Sequence, residues 1–186
     1  MKFPPLPCGR ATAAYLDGRK ERPQANRIRR PAAVIDIMSD KIIIPCPHCG
    51  QLNRLPAERR GGGRCGSCGQ ALFTGHPVAL ITAAFDRQIG SDDLPVLVDF
   101  WAGWCGPCRA MAPAFEAAAA TLEPRVRLAK VDTEAEPQLA ARFQIRSIPT
   151  LILFRGGREI ARQSGALSGG QIRAFVEQHL AAGAPR

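Results

Sequence analysis

Residues 95–108 read Pro95-Val96-Leu97-Val98-Asp99-Phe100-Trp101-Ala102-Gly103-Trp104-Cys105-Gly106-Pro107-Cys108. The stretch to Trp101 is apolar except for one acid, as in a strand buried on both faces. The Ala-rich run over 107–122 predicts a helix. Pro107 is tolerated in its first turn, and Pro113 is expected to kink it. Two thiols two residues apart therefore sit where a strand hands over to a helix. They can close and reopen a disulfide there without moving the backbone, so dithiol–disulfide exchange is the leading reading. A lone Cys-x-x-Cys is otherwise half of a zinc site. The proline, the helical pattern and the lack of a second pair nearby in sequence argue against that here.

The attacking species in such exchange is a thiolate. Cys105 stands at the junction, where unpaired N–H groups and the positive end of the helix face its sulfur. Gly106 lets the backbone turn close to it. Pro107 fixes φ and gives up an N–H that would be unpaired anyway. Cys108 lies one turn in and is expected to be the more buried, so Cys105 attacks and Cys108 resolves. Lowering a thiol pKa from about 8.5 to about 7 raises the thiolate fraction at pH 7 roughly 16-fold. The accompanying loss of nucleophilicity is about 5- to 6-fold, leaving a gain of only about threefold. The larger advantage must come from a second thiol held beside the mixed disulfide.

Outward from this site, Thr82 is expected to cap a helix through Ile89, and 126–131 alternates as a strand. Residues 137–143 read as a short helix and 150–154 as an apolar strand. Arg155-Gly156-Gly157-Arg158 turns into a second strand at 159–161, and Ser168 caps a closing helix through Leu180. The order β-α-β-α-β-α-β-β-α predicts an α/β domain with a mixed central sheet and helices on both faces.

The segment from Val98 to Cys108 resembles the active-site segment of the thioredoxin family. Arg146-Ser147-Ile148-Pro149-Thr150 resembles its cis-proline loop, and Gly165-Ala166-Leu167 its third active-site loop. The match runs over residues 78–182. It implies the thioredoxin fold and a general protein-disulfide reductase, recharged with NADPH electrons by a separate flavoprotein, thioredoxin reductase. No organic cofactor bound to this chain is expected. By position, Asp99 matches the family's buried carboxylate, whose pKa burial should raise, suiting it to take a proton from Cys108. Lys130 matches the lysine that faces that acid, and Pro149 should be cis. Trp104, Gly106, Pro107, Ile148 and Gly165 match the substrate surface, while Trp101 reads as packing. Arg109 and Gly103 depart from commoner family residues without touching the chemistry.

A second motif lies upstream. Cys46-Pro47-His48-Cys49 and Cys65-Gly66-Ser67-Cys68 are separated by residues 50–64, a zinc spacing with a glycine after each pair. Four thiolates make a closed tetrahedral shell, so Cys46, Cys49, Cys65 and Cys68 are expected to hold one structural Zn2+ per chain. Two disulfides or a labile iron site are the alternatives, and oxidisable thiolates would also suit a redox sensor. His48 is read as a solvent-facing knuckle residue. The module is too small for a useful core, so metal is expected to supply its stability. A zinc ribbon ahead of such a domain resembles the bacterial thioredoxin 2 type. Residues 38–73 are thus read as the ribbon, 74–77 as a linker and 78–186 as the thioredoxin domain.

The remaining 37 residues match nothing. They are rich in Pro and Arg and carry eight basic against three acidic residues, which is five of the chain's net nine positive charges. They read as a disordered basic extension. Met38 stands directly ahead of the ribbon and would serve as a start, making 1–37 an upstream translated stretch. Cys8 is given no role. With 46% apolar and 22% charged residues the chain as a whole is globular. No apolar run is long enough to span a membrane, and residues 1–30 show no secretory h-region, so a cytoplasmic protein is expected; it is read as a monomer. The competing reading is a basic zinc ribbon binding nucleic acid or protein, with the redox domain as its regulator. Arg54, Arg59, Arg60 and Arg64 favour it, but the loop that carries them has no aromatic residue for base stacking. An exported disulfide oxidase would need the missing signal.

Overall fold

The computed structural model describes residues 41–182. The expectations for residues 1–37, Met38 and Cys8 lie outside them.

The strands are β1 (Lys41–Pro45), β2 (Leu52–Pro56), β3 (Val78–Ala79), β4 (Val96–Trp101), β5 (Arg127–Asp132), β6 (Thr150–Arg155) and β7 (Arg158–Ser164). The helices are α1 (Thr82–Ser91), α2 (Gly106–Leu122), α3 (Pro137–Arg142) and α4 (Gly169–Ala182), with a 3-10 turn at Ala57–Arg59. β1 and β2 form an antiparallel pair of their own. The other five build one mixed sheet in the order β3-β5-β4-β6-β7. β5 runs parallel to β3 and β4, and β6 runs antiparallel to β4 and β7.

Period-two alternation divides the sheet side chains between two cores. On one face Leu97, Leu128, Leu151 and Leu153 pack against Met111 and Phe115 of α2 and Ile172 and Val176 of α4. On the other face Val98, Phe100, Val131 and Ile152 pack against Phe85 and Ile89 of α1 and Leu139 of α3. With both faces covered, the central strands have no polar side, which is why β4 and β6 read as continuous apolar runs. Asp99 and Lys130 share the parity of Leu97 and Leu128. They therefore lie on the α2 face, and they are paired in register.

The helix starts differ in how local their hydrogen-bond partners are. Ser168 begins α4 as expected: the Gln171 N–H donates to Ser168 Oγ, while Gln171 Oε1 accepts from the Ser168 N–H. Thr82 does not cap α1. Ile81 occupies the cap position, and the Thr82 N–H and hydroxyl both donate to Glu136 Oε2 instead. A partner 54 residues away leaves no local trace. α2 runs through Pro113 as one element.

The ribbon differs from the expectation in two respects. It has a core of its own, and that core is shared. Ile42, Ile44, Cys46, Cys65 and Leu72 cluster with Leu94, which belongs to the segment leading into β4. Residues 74–77 are held by side chains of α2 and its C-cap. The Thr74 and Gly75 N–H groups donate to Glu123 Oε2 at 3.1 and 2.7 Å, and His76 pairs with Glu116. At the centre of the contact lies Arg127, 1% exposed. Its Nε donates to Asp92 Oδ2 at 2.9 Å, and both terminal nitrogens donate to the Leu72 carbonyl at 3.3 Å. Glu123 Oε1 has no hydrogen bond, but it lies 3.5 Å from Arg127 Nη1, so its charge is paired. Burial raises the Asp92 pKa while Arg127 opposes the rise.

Candidate active site

β4 ends at Trp101, whose carbonyl accepts from the Thr133 N–H at 2.9 Å. The chain turns through buried Ala102, and Cys105 becomes the N-cap of α2. The Cys108 N–H donates to Cys105 Sγ at 3.1 Å. A sulfur at this position thus receives one of the unpaired N–H groups of the helix start. Cys105 and Cys108 are joined as a disulfide, with Cα atoms 5.3 Å apart.

Burial does not separate the two cysteines as the sequence suggested. They are 3% and 2% exposed. Position separates them instead. Cys105 lines a groove of about 560 Å3, and Cys108 does not. One wall is Trp104, Cys105, Gly106 and Pro107; the other is formed by Ile145 to Ile148 with Thr133 and Ala140. Trp104 is 68% exposed on a domain whose other aromatic rings are mostly covered. An exposed ring beside a groove suits contact with a partner chain.

The opposite wall is held from behind. The Ile148–Pro149 peptide is cis, and the Ile148 carbonyl lies 3.7 Å from Cys105 Sγ. The Thr150 hydroxyl donates to the Ser147 carbonyl at 2.7 Å, and its oxygen lies 2.9 Å from Ser164 Oγ. Gly165, at φ +96°, donates its N–H to the Pro149 carbonyl at 2.9 Å. Gly165 thus sits behind the loop and outside the groove lining. The Leu167 N–H meets Met111 Sδ on α2 at 3.4 Å, tying the third loop to the helix.

Asp99 in β4 is 1% exposed, with Oδ1 free of any hydrogen bond. Loss of hydration pushes its pKa up to about 7, against the attraction of Lys130. Lys130 is half-buried, with its ammonium 4.6 Å from the centre of the Trp101 ring. Trp101 therefore does more than fill space, since its ring face holds the cation. Arg146, Thr133, Ala140 and Ile145 also line the groove. The family-like motifs contain Arg146 but say nothing of the other three.

The four ribbon thiols gather in a second place. Their sulfurs all lie within 4.8 Å of one another, with Cys46–Cys68 and Cys49–Cys65 at 3.6 Å. A tetrahedral site with Zn–S near 2.3 Å has S–S edges of about 3.8 Å, so the set fits the ion. The two knuckles repeat one geometry. The His48 N–H and the Ser67 N–H each meet the first thiol of their pair at 3.4 Å. Gly50 and Gly69 each donate to the carbonyl of that same cysteine at 2.9 Å, at φ +72° and +71°. Cys46 and Cys65 are buried, and Cys49 and Cys68 are exposed.

A buried redox-active cysteine pair at a strand-to-helix junction, on a five-stranded mixed sheet, defines a thiol–disulfide oxidoreductase. The chain belongs to the thioredoxin family, whose family model matches residues 76–178. A second family description, "Thioredoxin 2, N-terminal", matches residues 45–70. Thioredoxin C-3 of Corynebacterium nephridii is 47% identical over 140 residues, 75% of this chain and 96% of that protein. Thioredoxin 1 of Nostoc sp. is 42% identical over 98 residues, 53% of this chain and 92% of that protein. The thioredoxin of Haemophilus influenzae is 39% identical over the same span length, again 92% of that protein. The protein is thus a protein-disulfide oxidoreductase with an N-terminal zinc-ribbon module. Among the described residues, no helix is long and apolar enough to cross a membrane.

Proposed function

We propose that this chain is a protein-disulfide reductase in which Cys105 is the nucleophile and Cys108 the resolving thiol. The observation that carries the assignment is Cys105 Sγ, facing the groove while accepting the Cys108 N–H. In the reduced protein the Cys105 thiolate attacks one sulfur of a client disulfide. An S–S bond forms between Cys105 and the client, the client bond breaks, and the second client sulfur leaves as thiolate. Cys108 then loses its proton to Asp99 and attacks Cys105 Sγ. The mixed disulfide breaks, the client leaves with both sulfurs reduced, and the Cys105–Cys108 bond closes. Two electrons have passed from this chain to the client.

Asp99 is suited to that proton because its pKa lies near neutrality. Lys130 is a positioning residue that limits how far the pKa climbs. Trp104, Gly106, Pro107 and Ile148 form the surface for the client, with Pro149 and Gly165 fixing the Ile148 wall. NADPH-dependent thioredoxin reductase restores the dithiol. Cys46, Cys49, Cys65 and Cys68 hold one structural Zn2+ per chain, and the protein works as a cytoplasmic monomer. Cys105→Ser abolishes NADPH-coupled reduction of a model protein disulfide, whereas Cys108→Ser accumulates mixed disulfides with it. Normal turnover by Cys108→Ser would refute the attack-and-resolve order.

A further inference from the structure

The cleft between the first knuckle and α1, about 190 Å3, is lined by both Cys46 and Cys49 and by Leu80, Ala84 and Arg87 of the thioredoxin domain. Arg87 is an exposed residue of α1, yet its guanidinium lies against the knuckle. A Cβ built on Gly50 would stand 2.6 Å from Arg87 Nη1. Among the described residues Arg87 makes no hydrogen bond or ion pair with a carboxylate. The cleft itself is lined by no acid. The second knuckle has a matching guanidinium from within the ribbon, since Arg64 Nη1 donates to the Gly69 carbonyl at 3.0 Å. Each glycine that follows a knuckle's second cysteine thus has one arginine against it.

Four thiolates around a divalent ion leave a net charge of two negatives. That charge is costly beside the apolar cluster of Ile42, Ile44 and Leu72, and nearby cations offset it. We propose that Arg87 is an outer-shell counter-cation of the four-cysteine metal centre, supplied across the domain contact by the thioredoxin helix. The proposal rests on the zinc reading above. It makes the metal affinity of the ribbon a property of the docked protein rather than of the ribbon alone. It also gives Gly50 a second reason to be glycine. Besides its positive φ, a side chain there would push the guanidinium away.

The test is titration of the full metal-free chain with Co2+ against a competing chelator, read by thiolate-to-metal charge-transfer absorbance. Arg87→Gln is expected to weaken Co2+ binding by about tenfold, at the low end for outer-shell partners because the side chain is exposed. Arg87→Lys is expected to recover part of the loss, and reduction of a model disulfide is unchanged in both. Gly50→Ala and Gly69→Ala carry the same φ penalty, but only Gly50→Ala displaces Arg87; a Cβ on Gly69 meets nothing within 4 Å. Gly50→Ala is therefore expected to lose more affinity than Gly69→Ala. Unchanged affinity in Arg87→Gln, or equal losses in the two glycine variants, overturns the proposal while leaving the metal centre intact. Absence of any charge-transfer band in the unaltered chain overturns the metal reading and this one with it.

Discussion

Asp99 is one carboxylate in a strand otherwise made of Val, Leu, Phe and Trp, and its pH behaviour follows from that. Its pKa rises from 3.8 to about 7 on folding because the buried carboxylate loses its water. A raised carboxylate pKa stabilises the folded state when the group is protonated. That contribution is complete below about pH 4 and is lost as pH rises through 7. A shift of this size corresponds to roughly 4 kcal/mol as an upper bound. Asp99→Asn is therefore expected to be more stable than the unaltered chain at pH 8 and nearly equal to it at pH 4, by urea denaturation. The same substitution slows the resolving step and removes the inflection near pH 7 from the rate profile. An unchanged profile would leave Asp99 with a structural role only. Asp99 was legible because an acid inside an apolar run breaks a pattern. Arg127 was not, because an arginine at a strand start looks like an ordinary solvated residue. Only folding brings Asp92, Glu123 and the Leu72 carbonyl around it.

At the scale of elements, the strands and helices around the cysteine pair could be read because each has a period or a cap within a few residues. β3 entered only as the first strand of the expected order, without a range, because two residues have no period. β1 and β2 escaped because the cysteine spacing dominates their segment, and their pairing is decided by contacts made elsewhere. The exposed Leu52 and the mixed burial of β2 show how weak an alternating signal that strand carries. The contacts of residues 74–77 illustrate the same limit. Thr-Gly-His-Pro is a loop composition, yet Glu123 at the end of α2 fixes two of its N–H groups. Removing one member of a buried ion pair strands the other charge, at a cost of about 3–5 kcal/mol. Arg127→Ala is accordingly expected to lose that much stability in urea, while retaining the active-site groove. A loss below about 1 kcal/mol would show that water replaces the guanidinium without penalty.

For the molecule as a whole, the chemistry and the ribbon contact occupy different residues. Every group assigned to disulfide exchange lies between Asp99 and Gly165, so a fragment of residues 78–186 is expected to keep reductase turnover. The fragment nonetheless uncovers Leu94 and takes the Leu72 carbonyl from Arg127. It is expected to unfold at lower urea than the full chain, by a few kcal/mol in stability. Lost turnover in a folded fragment would bring the ribbon into catalysis. Equal stability would mean that the shared cluster contributes nothing.

The Arg127–Leu72 contact also bears on biosynthesis. A ribosome adds about 5–20 residues per second. All four ribbon thiols are made by residue 68, whereas Arg127 follows Leu72 by 55 residues. At that speed the nascent ribbon waits on the order of 3–11 s for the side chain that will hold the Leu72 carbonyl. In that interval Leu94 and Arg127 are not both available, and the cation from α1 has no folded domain to carry it. With Zn2+ bound as proposed, the ion is what would keep the early-made segment closed. On that reading the ion can be captured before the residues that dock the ribbon have been made.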